Sequence, residues 1–186
     1  MQHCANPYSK SPGFTLTGLL ITLSISAILL AIGIPSYRAL TARNLQASEI
    51  NSFVHYFHLA RSLSITEETH HVLCPSNDGE SCSLSSDWGR GFILYEDTNQ
   101  NGTRDRNEQL QGVHQPIHQT DFEIQSSRGS QLVIYHGDGR PSGYNLTLTF
   151  CDPEHMVSPK AVIVNNMGRV QVSETRWNGA PLSCSG

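Results

Sequence analysis

Charged side chains make up only 15% of this 186-residue chain, and none lies between residues 11 and 37. Aromatic residues are few as well, at 8%. There is no excess of positive charge: 12 Lys+Arg stand against 16 Asp+Glu, a net charge of −4. A chain with that balance is not a bulk polyanion binder, so any nucleic-acid contact must come from a local patch. Catalytic signatures are missing too. The sequence has no G-x-S-x-G elbow and no Walker-type phosphate loop, which argues against an enzyme. No two cysteines are spaced C-x-x-C, which argues against zinc. There are no internal repeats and no low-complexity tracts.

What is present is segregated along the chain. Residues 14–34 form an apolar run of 21 residues, between Lys10 and Arg38. As a helix it would rise about 30 Å, enough to cross the hydrocarbon of a bilayer. The run follows a short polar stretch ending Lys10-Ser11-Pro12-Gly13, and its far end carries no A-x-A-like cleavage site. That order differs from an ordinary secretory signal and also suits an uncleaved anchor.

Beyond Pro35 the helix is expected to continue to about Ile65. Ile50, Phe53, Val54, Phe57 and Ala60 recur at three- and four-residue spacing as one apolar stripe, which should lie on a sheet. Short strands are predicted at 72–74, 91–96, 110–113, 122–125, 131–135, 144–151, 161–164 and 169–173, with turns at 137–141 and 165–168. A long helix followed only by strands predicts an α+β fold, the helix packed on an antiparallel β-sheet or β-sandwich domain.

Cys4 precedes the apolar run, and Cys74, Cys82, Cys151 and Cys184 follow it. Four cysteines in a translocated domain favour disulfides, with three pairings open. The preferred pairing is Cys74–Cys82, which would close a short loop, with Cys151–Cys184, which would pin the C-terminal tail to a strand end.

The segment Lys10-Ser11-Pro12-Gly13-Phe14-Thr15-Leu16 and the apolar helix after it resemble the class III leader of type IV pilins and type II secretion pseudopilins. Trp88-Gly89-Arg90-Gly91-Phe92, the 97–108 loop, Gly139-Arg140-Pro141 and Gly168-Arg169-Val170 resemble the GspH/FimT branch of minor pilins and minor pseudopilins. The resemblance spans nearly the whole chain after residue 13. It implies a leader, residues 1–13, cut by prepilin peptidase between Gly13 and Phe14, with methylation of the new N-terminus. The product would carry a net charge of −5, because only Lys10 is lost. It further implies a transmembrane and filament-core helix at 14–37, packed through Leu16, Gly18 and Pro35, and a periplasmic domain at 38–186. The implied partners are other pilin or pseudopilin subunits, the inner membrane and, through FimT-type relatives, DNA. Pro35 stands where the family has a helix-kinking proline. Gly18 departs from the family pattern, which usually has glutamate there, thought to pair with the N-terminal amine of a neighbouring subunit. Its loss should weaken recruitment and suits a subunit at a filament tip or of low abundance; the alternative is that other helix contacts compensate.

Three sets of residues are candidate sites. Asp97, Asn99, Asn101, Thr103, Asp105 and Glu108 fit a twelve-residue calcium loop with Gly102 at its turn, but predicted strands rather than helices flank it, which suits a β-hairpin tip rich in turn formers. No other cofactor is expected. Gly168-Arg169-Val170-Gln171 resembles the Gly-Arg-x-Arg motif that contributes to DNA binding in FimT-type pilins, but Gln171 replaces the second arginine; Arg176, Lys160 and Trp177 could add charge and a stacking face. An alternative is a hairpin turn with a solvated arginine. His55/His58, His114/His118 and His70-His71 have ligand-like spacing but no evident third ligand, and are expected to be exposed polar residues.

Overall fold

The computed structural model describes residues 15–83, 85–116, 122–129, 131–143 and 145–184. Residues 1–14, with the expected cleavage site between Gly13 and Phe14, lie outside the described residues. Helix α1 spans Leu16–Glu67 and contains Pro35. It is 52 residues long. Thr15 caps its start, the hydroxyl oxygen accepting the Gly18 N–H at 3.2 Å. The chain divides into two compact units, Met1–Arg38 and Ala39–Gly186.

In the first unit the large apolar side chains of α1 are half or more exposed, from 52% at Leu19 and Ile34 to 75% at Leu16. The hydroxyls of Thr22, Ser24 and Ser26 donate to backbone carbonyls three or four residues earlier, so they add little polarity to this surface. By length and composition α1 can cross a membrane.

Among its described residues the second unit holds eight strands, β1(His70–Pro75), β2(Phe92–Asp97), β3(Leu110–His114), β4(Glu123–Ser126), β5(Val133–Tyr135), β6(Leu146–Cys151), β7(Lys160–Val164) and β8(Val170–Ser173). They form two four-stranded antiparallel sheets, ordered β3-β2-β1-β5 and β4-β6-β7-β8. The first sheet is centred on β1 and β2, which register His71 on Glu96 and Cys74 on Ile93. The fold is therefore α+β, one long helix on antiparallel sheets.

One core joins both sheets to the helix: Ile50, Phe53, Phe57 and Ala60 meet Leu73, Phe92 and Leu94 of one sheet and Leu148, Phe150 and Val162 of the other. Phe53 is its hub, 1% exposed, with ring centroids 4.6 Å from Phe92 and 5.2 Å from Phe150. Polar Gln46 and Ser64 extend the buried stripe at its two ends. The Gln46 amide donates to the Ser158 carbonyl at 3.0 Å and the Ser64 hydroxyl to the Arg61 carbonyl at 2.9 Å, which offsets their burial.

A second, smaller cluster sits on the opposite face of the first sheet, where Val72, Cys74, Ile93 and Tyr95 pack with Cys82, Leu110 and Ile134. The disulfides are Cys74–Cys82 and Cys151–Cys184, with Cα atoms 5.5 and 5.8 Å apart.

Candidate functional site: the loops and tail around two sheets

The 97–108 segment links β2 to β3, so it is a hairpin connection rather than a loop between helices. Its turn is held by carboxylates. Asp97, 1% exposed, accepts the N–H groups of Asn101 and Gly102 at 3.1 and 2.8 Å. Glu108, 2% exposed, accepts the N–H of Thr98 and of Asp105. The amides of Asn99 and Asn101 both donate to Asp105. The side chains of five of the six positions proposed for calcium thus bond to one another or to the loop backbone. Among the described residues no group of three or more His, Cys, Asp or Glu side chains is arranged to hold a metal ion. Arg104 donates to the Glu80 carbonyl at 2.7 Å, tying this hairpin to the Cys74–Cys82 loop. In that loop Asp78 accepts from the backbone and hydroxyl of Ser81, and these bonds hold its carboxyl far below the usual carboxylate range.

The cations proposed for DNA are not gathered. Arg169 is exposed just after the β7–β8 turn. Lys160 begins β7, at the other end of the hairpin, 3.4 Å from Glu174. Arg176 lies in the tail and donates to the Ser183 hydroxyl. In that motif Gly168, not Arg169, makes the tertiary contacts. It has φ +76°, a value that favours glycine, and a Cβ there would lie 2.5 Å from the Gly139 carbonyl oxygen. Arg61 of α1 donates to the Gly168 carbonyl at 3.3 Å. Two turns from different sheets therefore abut over the helix.

The histidines correct an expectation. His71 is fully buried rather than exposed; β1 carries it inward, and burial lowers its pKa against the raising effect of Glu67 and Glu96. Its Nε2 is 3.1 Å from the Glu67 carboxylate, off the line of a good hydrogen bond. His114 Nε2 lies 2.8 Å from Glu49 of α1. His70 and His136 are in ring-nitrogen contact at 3.0 Å. His118 lies outside the described residues.

Sequence reading missed the C-terminal hairpin, which the Asn178-Gly179 dipeptide signals. Thr175 bridges Pro181, Arg176 donates to Ala180, and Gly179 turns the chain. With the outward side of β6 this tail frames a groove of about 670 Å³. Thr147 and Thr149 line it from β6, with Arg176, Trp177 and Ser183 from the tail.

Residues 49–168 match the family described as Type II transport protein GspH. The type IV minor pilin FimU of Pseudomonas aeruginosa (strain PAO1) has a similar fold, with 16% identity over 78% of this chain and 99% of that one and a TM-score of 0.61. A second crystal form of FimU aligns at 17% identity over 75% and 97%, with a TM-score of 0.54. The minor pseudopilin EpsH of the Vibrio cholerae Type 2 Secretion System aligns at 11% identity over 68% and 94%, with a TM-score of 0.49. No curated protein sequence matches. With more than half of its length matched to that family and the fold shared with FimU, the chain belongs to the GspH family of pilin-like proteins.

Proposed function

We propose that the protein is a minor pilin of the GspH/FimT type, a structural subunit that takes part in type IV pilus assembly. Prepilin peptidase removes residues 1–13 by cutting between Gly13 and Phe14, and Phe14 is methylated. The subunit waits in the inner membrane as a single-pass protein, held by residues 14–37, with residues 38–186 in the periplasm. It is then extracted and packed helix to helix.

The observation that carries this reading is the exposed apolar surface of α1 from Leu16 to Ile34, continuous with a helix whose second half is core. In water that surface is unfavourable at about 25 cal/mol per Å². Lipid covers it first and neighbouring subunits afterwards. Mass spectrometry of the membrane-extracted protein tests the processing step. An N-methylated Phe14 start is expected; a mature form that keeps residues 1–13, or lacks the apolar helix, would refute it.

Gly18 suits a place at the filament tip or low abundance. Gly18→Glu is expected to raise the subunit's content in sheared filaments, and unchanged content would remove that idea.

The family's own description supports a second reading, a minor pseudopilin of type II secretion. Deleting the gene separates the two: loss of surface pili marks the first, loss of secreted enzymes the second. DNA capture for uptake is a finer version of the first reading and rests on exposed Arg169 beside its turn. Gel-shift titration at low salt should show weaker binding by Arg169→Ala, and identical binding would remove Arg169 from it.

A further inference from the structure

None of the described residues lining the groove under the C-terminal tail belongs to α1. Its floor is the outward side of β4 and β6, where Gln125 and Thr147 alternate with core residues. The tail supplies Arg176 and Trp177, and the ends of β6 and β7 add Asn145 and Asn166. Asn166 donates its N–H to the Asn145 amide oxygen at 3.0 Å, which fixes one end of the groove. The Cys151–Cys184 bond anchors the tail.

Three properties define what fits. The volume, about 670 Å³, lies in the range of small-molecule sites. Among the described lining residues Arg176 carries the only charge; the rest are amides, hydroxyls, a glycine and one indole. Trp177 is 74% exposed, although a large indole is ordinarily buried at least in part. Amides and hydroxyls both donate and accept, which matches the mixed donors and acceptors of sugar hydroxyls. The exposed indole face matches the apolar C–H face of a pyranose ring. Arg176 alone would give a salt slope of about one phosphate contact.

We propose that this groove binds a short, uncharged oligosaccharide, with a pyranose ring on Trp177 and its hydroxyls on Asn145, Thr147 and Arg176.

The test uses the full chain in lauryl dimethylamine oxide, a detergent without a sugar headgroup. Cellotetraose, chitotetraose and maltotetraose are titrated while tryptophan fluorescence is followed. Trp88 is 1% exposed, so Trp177 is the reporter. Calorimetry measures the same titrations for variants. Saturable binding of at least one oligosaccharide is expected. Trp177→Ala should weaken it at least tenfold, and Thr147→Val at least threefold, with melting temperatures unchanged. A single-stranded oligonucleotide is titrated in parallel at 50 and 200 mM salt. No saturable binding of any of the three sugars would overturn the proposal, as would sugar binding indifferent to Trp177→Ala. Oligonucleotide binding tighter than that of every sugar and dependent on Trp177 would overturn it in favour of nucleic acid.

Discussion

Replacing Gly168 by alanine separates the structural half of the Gly-Arg motif from any ligand-binding half. Gly168 closes the β7–β8 connection: its N–H donates to the Asn165 carbonyl at 2.9 Å, and Asn165 donates back to Arg169 at 3.0 Å. An L-residue at φ +76° costs roughly 1–2 kcal/mol. The added Cβ would also sit 2.5 Å from the Gly139 carbonyl oxygen and 3.2 Å from Arg61 Nε. Arg61 can swing away, but the carbonyl belongs to another tight turn with its own glycine at positive φ. Overpacking of this kind costs about 1–3 kcal/mol. Together the two effects predict a loss of about 2–5 kcal/mol, a large share of the ~5–15 kcal/mol that holds a typical domain. At ~2–4 °C per kcal/mol for a chain of this size, melting should fall by about 4–20 °C. Thermal unfolding followed by circular dichroism measures it. Arg169→Ala, at an exposed site, serves as the control and should stay within about 0.5 kcal/mol. If Gly168→Ala melts within 2 °C of the parent, the abutting-turn account is wrong.

Three further outcomes follow from the packing. Phe53→Ala should cost about 3–5 kcal/mol, because the ring fills the junction of α1 with both sheets; denaturant unfolding measures it. Burial lowers the pKa of His71 in the folded state, so the unfolded chain binds its proton more readily. Stability is therefore full above the unfolded value of about 6.5 and declines as pH falls from there toward the folded value. Melting temperatures at pH 7.5 and 5.0 should show that decline, and His71→Gln should shrink it. Removing Cys151–Cys184, which spans 33 residues, should cost about 3–4 kcal/mol by loop-closure entropy, measured on the paired serine variant.

The α+β class, the eight strands and the membrane-length helix were legible because they are written locally. An uncharged run, a three-and-four apolar spacing and period-two alternation each involve neighbours in sequence. Tyr144, expected to open the sixth strand, lies outside the described residues; β6 begins at Leu146. The helix runs two residues past Ile65, to Glu67. Nothing local distinguishes one sheet from two, and the division into β3-β2-β1-β5 and β4-β6-β7-β8 depends on which edges meet.

The candidate site divides along the same line. The alternation in β6 already put Thr147 and Thr149 on one side of a strand. That the tail would face them depended on a disulfide among three open pairings. Arg169, Arg176 and Lys160 are near one another in sequence, but the hairpin sends Lys160 and Arg169 to opposite ends and the tail carries Arg176 elsewhere.

By itself the sequence determined where lipid-like surface must exist and which segments are strands, since hydrophobic period and missing charge are properties of consecutive residues. Only the tertiary structure decided which cysteines meet, that His71 is buried, that Gly168 is a packing residue and that a groove lies beneath the tail. Each of those depends on contacts between residues far apart in the chain, whose distances the folded chain alone sets.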